Sequence, residues 1–217
     1  MHKPNNLLER DVREQLDWDP ILDDTRITVK ADDGRVILNG AVPTYSEVEL
    51  AAEDAWDVGG VKAVDNELLV GLTGAAIADF DIATHCATAL DADKFVPHGA
   101  VRATVLDGWV TLNGEVRRHY QRKAAEYAVG RVAGVLGVTD RITLSAEPVP
   151  ADVADRINRA FDRNAIIDGS LIEVSNVGHT IYLDGTTTTW RAMNEAVDTA
   201  WAAPGVTDVV NRLVIAA

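Results

Sequence analysis

The sequence predicts an α+β protein built from three tandem copies of one small domain. Each copy has the order helix, strand, strand, helix, strand, with two helices on one face of a three-stranded mixed sheet. Two observations predict this fold class. The pattern Leu-x-Gly occurs at residues 38–40, 112–114 and 183–185. Each time a Gly-Val pair follows, and the two glycines are 20 residues apart. Shifts of 74 and then 71 residues align all three segments without a gap.

We place the three repeats at residues 4–70, 78–145 and 149–216. Residues 71–75 and 145–150 are the expected linkers, and two prolines stiffen the second of them. A domain of about 70 residues buries only about 60% of its unfolded surface. We therefore expect the repeats to pack against one another.

The first repeat begins with apolar residues that recur every four positions, which predicts an amphipathic helix. These residues are Leu8, Val12 and Leu16. Apolar and polar residues then alternate on both sides of Asp33-Gly34, which predicts two strands joined by a tight turn. The strand positions expected to face the core are Ile27, Val29, Val36 and Leu38. In the second repeat the equivalent core positions are Cys86, Leu90, Val101, Ala103, Val110 and Leu112. In the third repeat they are Ile157, Phe161, Ile172, Val174, Ile181 and Leu183.

The second helix of the first repeat is predicted from about Ser46 to Val58, with Ala51, Ala52 and Ala55 as its apolar face. Two sets of recurring glycines are expected to be structural. One set should end each second helix in a left-handed cap, and the other should mark the turn from strand to helix, where a Cβ has no room. The cap glycines are Gly60, Gly134 and Gly205, and the turn glycines are Gly40, Gly114 and Gly185.

The chain is strongly acidic, with a net charge of -14 and a pI near 4.6. Residues 1–74 carry 7 Lys and Arg against 16 Asp and Glu, residues 75–147 carry 8 against 9, and residues 148–217 carry 5 against 9. The middle repeat is therefore the one closest to neutral. This balance argues against nucleic acid as a partner, because a nucleic-acid-binding surface needs a concentration of positive charge.

The sequence predicts no catalytic, metal or cofactor site. Cys86 occupies a core position, and its neighbour His85 cannot face it on a helix. The histidines at positions 2, 98, 119 and 179 occur singly, which favours surface histidines over a metal site. The Gly-x-x-Gly segments at 71–74 and 134–137 carry no cation for a phosphate, so we interpret them as a linker and a helix cap.

The N-terminal residues contain no apolar segment of signal-peptide length, and no stretch approaches the apolar length of a membrane span. The single cysteine cannot form an internal disulfide, so the chain does not require an oxidising compartment. We expect a cytoplasmic protein, and a periplasmic one only if the chain is a processed or truncated form.

The candidate ligand-binding residues form a basic cluster at the predicted start of the second helix of the middle repeat. The cluster comprises Arg117, Arg118, Arg122 and Lys123. It is interpreted either as an anion site for lipid headgroups or an acidic partner, or as a socket that pairs with the acidic first repeat. We favour the socket, since an internal counterion is present at high effective concentration.

Trp109 belongs to the same candidate site. It lies out of phase with the core residues Val110 and Leu112, which predicts that it points away from the core. It is interpreted as an interfacial anchor or partner contact, or as packing between repeats, and we favour packing because the repeats have small cores.

The Asp-Gly turn, the Leu-x-Gly segment and the pattern Gly-Val-x-x-Val-x-Asn/Asp resemble the BON domain (bacterial OsmY and nodulation) in all three repeats. The resemblance covers nearly the whole chain. It implies a binding or attachment module without a catalytic constellation, linked to osmotic and envelope stress and thought to contact phospholipid. We therefore expect a non-enzymatic, multivalent binding or scaffold protein. The expected partner is a phospholipid surface or, in the alternative, another protein or a second copy of the chain.

Overall fold

The computed structural model describes residues 3–71 and 77–216 and shows the predicted element order three times. The first repeat comprises α1 (Asn5–Trp18), β1 (Ile27–Asp32), β2 (Arg35–Val42), α2 (Tyr45–Trp56) and β3 (Ala63–Val70). The second comprises α3 (Asp79–Ala92), β4 (Val101–Leu106), β5 (Trp109–Val116), α4 (His119–Gly130) and β6 (Gly137–Leu144). The third comprises α5 (Val153–Phe161), β7 (Ile172–Val177), β8 (Thr180–Thr187), α6 (Trp190–Trp201) and β9 (Asp208–Ile215). The predicted fold class is confirmed.

Each repeat has its own three-stranded sheet, in which the second strand is central. In the first repeat β1 is antiparallel to β2 and β3 is parallel to it. The third repeat has the same arrangement, with β7 antiparallel and β9 parallel to β8. The sheets are therefore mixed, because a helix crosses over between the central strand and its parallel neighbour.

The core of each repeat lies between its helices and one face of its sheet, as the alternating pattern predicts. In the first repeat Leu8, Val12, Val36 and Leu38 are fully buried. The cores of the first and third repeats are separate clusters, each drawn from its own repeat. Burial of one such side chain stabilises the fold by about 1.5–3 kcal/mol. Among the predicted core positions, Ile27, Val101, Ala103 and Val174 are only partly buried.

The prediction for α2 needs two corrections. Ala52 is partly exposed, and Asp54, which was not among the predicted apolar positions, is buried. Gly60 does not cap the helix, because α2 already ends at Trp56 and the next residue keeps a right-handed conformation. Gly60 instead adopts its positive φ of 104° in the turn that leads into β3. Gly134 and Gly205 likewise follow the ends of α4 and α6 by four residues.

The glycines of the Leu-x-Gly segments were predicted to mark the turn from strand to helix, and that placement is wrong. Gly40, Gly114 and Gly185 lie inside the central strands, each paired with the first residue of the preceding strand. Their φ values are +139°, +155° and +130°. A Cβ at each would overlap the carbonyl oxygen of the residue before that strand. The expectation that close packing excludes a Cβ is confirmed.

The chain divides into two compact units. One holds the residues up to Gly114 together with Lys123–Ile142, and the other holds Glu115–Arg122 together with the residues from Thr143 onwards. Residues of α4 therefore belong to both. The repeat boundaries 4–70, 78–145 and 149–216 stay a prediction. Of the expected linkers, 145–150 contains no helix or strand, whereas 72–75 lies outside the described residues.

Across residues 3–71 and 77–216, the helices are too short or too polar to cross a lipid bilayer.

The close approach at Gly40 predicts a large cost for a single methyl group. Gly40→Ala should lower the free energy of unfolding by about 2–4 kcal/mol, because the new Cβ meets the backbone carbonyl of Arg26 at an unfavourable φ. Urea unfolding followed by circular dichroism measures the change. The matched control is Gly59→Ala, whose Cβ meets nothing within 4 Å. Equal effects of the two substitutions would contradict this explanation.

Candidate functional site

The basic cluster lies at the start of α4, as predicted. Arg117 and Arg118 precede the helix, and their backbone N–H groups donate hydrogen bonds to Oε1 of Gln121 at 3.0 and 3.1 Å. A side chain that reaches back from the first turn satisfies donors that the helix leaves unpaired. Gln121 thus fixes the backbone from which these two cations extend.

Within the second compact unit, Arg118 and Arg122 are engaged with other groups, whereas Arg117 is exposed. Nη2 of Arg118 lies 3.1 Å from a carboxylate oxygen of Glu147, and about a third of each side chain is exposed. Nη2 of Arg122 lies 2.9 Å from Nδ1 of His119. An ion pair at this exposure contributes at most about 1 kcal/mol.

Trp201, the last residue of α6, receives two of these side chains. The His119 ring stacks on its ring with 4.1 Å between centroids and 9° between planes. The Arg122 guanidinium lies 4.9 Å from the Trp201 ring centroid. This combination of stacking and cation–π contact is worth about 1–3 kcal/mol in total. His119 was predicted to be a surface histidine, and no sequence spacing indicated that it would meet Trp201.

Lys123 has acidic surroundings within the first compact unit. Its Nζ lies 3.0 Å from Oε2 of Glu126. Desolvation disfavours the charged ammonium, but the carboxylates of Glu126, Glu49 and Glu53 outweigh it and raise the pKa of Lys123. Glu49 and Glu53 lie on α2 of the first repeat. Lys123 therefore has the environment that the socket interpretation requires, whereas Arg118 and Arg122 contact Glu147 and Trp201.

Helices α2 and α4 approach closely beside Lys123. The hydroxyl of Ser46 donates to the carbonyl of Tyr127 at 3.4 Å, and a Cβ on Gly130 would lie 2.8 Å from the Ser46 hydroxyl. A side chain at Gly130 would thus displace the Ser46 hydroxyl and break its bond to Tyr127. Sequence reasoning missed this contact, although one signal was present. The equivalent positions in the other repeats hold Trp56 and Trp201.

The same helix contact desolvates two acidic groups of α2. Burial, together with the charge of Glu49 and a hydrogen bond from Tyr45 to Glu49 at 3.1 Å, raises the pKa of Tyr45 to about 12. Burial and the nearby charge of Glu126 raise the pKa of Glu49. Lys123 offsets part of this negative charge.

Trp109 lies on the outer face of the second sheet, and its side chain is 56% exposed. A Cβ on Gly137 would overlap the Trp109 ring, so the ring covers the first residue of the neighbouring strand β6. Trp109 is paired in the sheet with Leu106 of β4, which is also exposed. Trp109 therefore packs within its own repeat and still presents an apolar surface.

The other candidates for chemistry in residues 3–71 and 77–216 are Cys86, clusters of metal-ligating side chains and an open groove. Cys86 is fully buried, and burial raises its pKa to about 11, which confirms the prediction of a core cysteine. In the part of the chain that is described, no three His, Cys, Asp or Glu side chains are grouped to hold a metal ion. An open groove of about 380 Å³ beside α3 and α4 brings together Asp93, Tyr127 and Arg131 among small apolar residues.

Asp54 is a buried carboxylate at the C-terminal end of α2, with only 9% of the residue exposed. Its Oδ1 accepts a hydrogen bond from Gln15 at 3.3 Å, whereas its Oδ2 is buried without a hydrogen-bond partner. Burial raises the pKa of Asp54, and the charges of Asp19 and Asp57 raise it further. The first repeat thus places several carboxylates at one end.

Comparison with known proteins gives one family. The model of the BON domain matches residues 5–71, 78–146 and 151–217. Osmotically-inducible protein Y of Escherichia coli (strain K12) is 33% identical over 119 residues, which are 52% of this chain and 59% of that protein. The match thus spans about three fifths of the length of that relative.

Two solved structures of CdsD, a structural protein of the Type III secretion system of Chlamydia trachomatis, also match. Their sequences are 14% and 15% identical to this chain. Each alignment covers 97% of this chain, and the alignments cover 92% and 98% of the two CdsD chains. Their TM-scores are 0.27 and 0.28, and we infer nothing from superpositions this loose.

The stacked cluster predicts that Trp201 stabilises the second compact unit. Trp201→Ala should lower the free energy of unfolding by about 1–3 kcal/mol, because it removes the His119 and Arg122 contacts together with packing against the core of the third repeat. Trp18→Ala is the matched control, because Trp18 is 83% exposed and its loss should change stability by less than about 0.5 kcal/mol. Urea unfolding of both variants makes the comparison. A Trp201 variant as stable as the Trp18 variant would show that the stacked cluster contributes nothing.

The environment of Asp54 predicts a stability change that depends on pH. Because its folded-state pKa is raised above the unfolded value, ionised Asp54 reduces stability at neutral pH, and this cost disappears as the pH falls below the unfolded pKa of about 3.9. Asp54→Asn should therefore unfold at a higher temperature than the wild type at pH 7, and the difference should shrink towards pH 3.5. Asp17→Asn, at an exposed position, is the control. The explanation fails if the advantage of Asp54→Asn is absent at pH 7 or grows in acid.

Proposed function

Since the chain belongs to the BON-domain family, we propose that it is a non-catalytic, multivalent binding or scaffold protein of the osmotic or envelope stress-response type. The likeness to osmotically-inducible protein Y supports the link to osmotic stress. Three copies in one chain support multivalency, because joined modules raise the effective concentration of each site for its partner.

One observation decides which partner we favour. Among the cations predicted to hold anionic headgroups, Arg118 is paired with Glu147, Arg122 contacts Trp201, and Lys123 faces Glu126. Binding of lipid phosphates by these groups would require the loss of those internal contacts. A net charge of -14 also opposes approach to an anionic bilayer. We therefore favour another protein as the partner.

A phospholipid surface is the second candidate. In this alternative Arg117, Arg118, Arg122 and Lys123 hold anionic groups, and Trp109 inserts beside them. The half-exposed Trp109 with its exposed neighbour Leu106 supports it, since tryptophan beside an aliphatic residue suits the boundary between headgroups and acyl chains. Arg117 is also exposed.

Sedimentation with vesicles, together with affinity capture, distinguishes the two candidates. At physiological salt the chain should stay in the supernatant with both anionic and zwitterionic vesicles. Capture from lysate of osmotically stressed cells should recover a protein at stoichiometric amounts, and light scattering of the eluate gives the mass of the complex.

The lipid candidate predicts the opposite result. The chain would sediment with anionic vesicles only, and the double variant Arg117→Ser, Trp109→Ala would remain in solution. The matched control is Phe80→Ala, which removes an exposed aromatic side chain from α3 of the same repeat. Anionic-specific sedimentation that the double variant abolishes and the control retains would overturn the protein-partner proposal.

A further inference from the structure

One end of the first repeat exposes two large apolar side chains. Trp18, the last residue of α1, is 83% exposed, and Ile21 is 64% exposed. They are three residues apart on either side of the turn that follows the helix. A tryptophan exposed to this extent beside an exposed isoleucine is typical of a binding surface.

The turn itself recurs in every repeat. A side-chain oxygen of Asp19, Asp93 or Asn164 accepts a hydrogen bond from the backbone N–H two residues later, at 2.8, 2.8 and 2.9 Å. The residue that donates this N–H, which is Ile21, Phe95 or Ile166, is exposed each time, and the residue after it is buried. These turns are therefore part of the fold, since such side-chain bonds set the local backbone. The turn alone does not mark a site.

The first repeat differs from the others in what surrounds the turn. Trp18 is replaced by Ala92 in the second repeat and by Arg163 in the third. In the second repeat the ammonium of Lys94 lies over the Phe95 ring, 4.7 Å from its centroid. The exposed pair of the first repeat is thus larger than its counterparts, and Pro20 stands where the second repeat has Lys94. The two flanking aspartates are shared, since Asp91 and Asp93 occupy the positions of Asp17 and Asp19.

Carboxylates concentrate around this pair. Asp17 and Asp19 flank Trp18 in the sequence, and the charges of Asp19 and Asp57 both act on Asp54. The Oδ2 of Asp54 is buried there without a hydrogen-bond partner. Arg26 partly offsets the charge of Asp23, the next acidic residue after the turn. A positive charge brought to this end would be attracted by all these carboxylates.

We propose that this Trp18 surface, defined by Trp18, Ile21, Asp17 and Asp19, docks a basic amphipathic segment of a partner protein. The apolar face of the segment covers the two exposed side chains, and its lysines or arginines pair with the two carboxylates. The charge of residues 1–74, with 7 Lys and Arg against 16 Asp and Glu, steers a basic partner and repels an anionic membrane. The net charge of -14 also opposes a second copy of the chain. The inference rests on the proposed multivalent binding function.

The test uses the full chain and a labelled 14-residue peptide with leucine and lysine at amphipathic helical spacing. Fluorescence anisotropy should show binding that weakens as salt rises, because screening reduces the attraction of the carboxylates. The variant Trp18→Ser, Ile21→Ser should weaken binding by about tenfold or more. The variant Asp17→Asn, Asp19→Asn should weaken it by several-fold at low salt and much less at high salt. Asn at position 19 preserves the turn, as Asn164 does in the third repeat.

The matched control is Phe80→Ser, which removes an exposed aromatic side chain from the second repeat and should bind the peptide like the wild type. Unchanged affinity in the Trp18 and Ile21 variant would overturn the proposal. So would equal binding of a peptide with glutamate in place of lysine. Sedimentation with anionic vesicles, or self-association, that depends on Trp18 would assign the surface to a membrane or to a second copy instead.

Failure of this inference and failure of the proposed function give different results. If the wild type and the Trp18 variant capture a partner from lysate equally well, the multivalent function stands, and the partner binds a surface other than the Trp18 surface. A wild-type chain that captures no protein and sediments only with anionic vesicles contradicts both this inference and the proposal of a protein partner.

Discussion

The close contact between the central strand and the carbonyl that precedes the first strand is the constraint on which each repeat depends. Gly40, Gly114 and Gly185 meet that carbonyl because they lack a Cβ, and each pairs with the first residue of the preceding strand. This pairing fixes the register of the hairpin. A slip of one residue would turn Val36 and Leu38 from the core to the solvent face. The two helices then cover the apolar face that the register creates.

The same local design leaves the three repeats free to differ on their surfaces. The second repeat places its cations at the start of α4, where they contact Glu147, Trp201 and the carboxylates around Lys123. The first repeat places its carboxylates at the other end of its helices and exposes Trp18 beside them. Charge is therefore distributed unevenly over the molecule. Part of it is paired inside the molecule, and part remains exposed.

Most of the fold could be predicted from the sequence, because it is encoded locally. The period of four in α1, the alternation in β1 and β2, and the Asp33-Gly34 turn each specify an element without reference to the rest of the chain. The role of Gly60 was wrong, since a glycine after a helix is compatible both with a cap and with a turn four residues later. Periodicity does not distinguish these two positions.

The candidate site could be predicted only in part. The local sequence pattern locates its cations, but it does not identify the distant residues that they contact. The arginines were located correctly at the start of α4. The stacking of His119 on Trp201 and the approach of Ser46 to Gly130 join residues about 80 positions apart, and no spacing encodes such contacts. Trp18 carried a signal that was overlooked. It lies outside the apolar period of α1 and between two aspartates, as expected for an exposed aromatic residue and not for a core residue.

The central claim is that each repeat is held by its own core in the same register, and amide hydrogen exchange after a single core truncation tests it most directly. Leu183 is fully buried in the third repeat, and Leu183→Ala should cost about 2–5 kcal/mol. The account predicts that amides of β7, β8 and β9 lose protection while those of β1, β2 and β3 retain it. Equal loss of protection in the first and third repeats would show one continuous core and contradict the account.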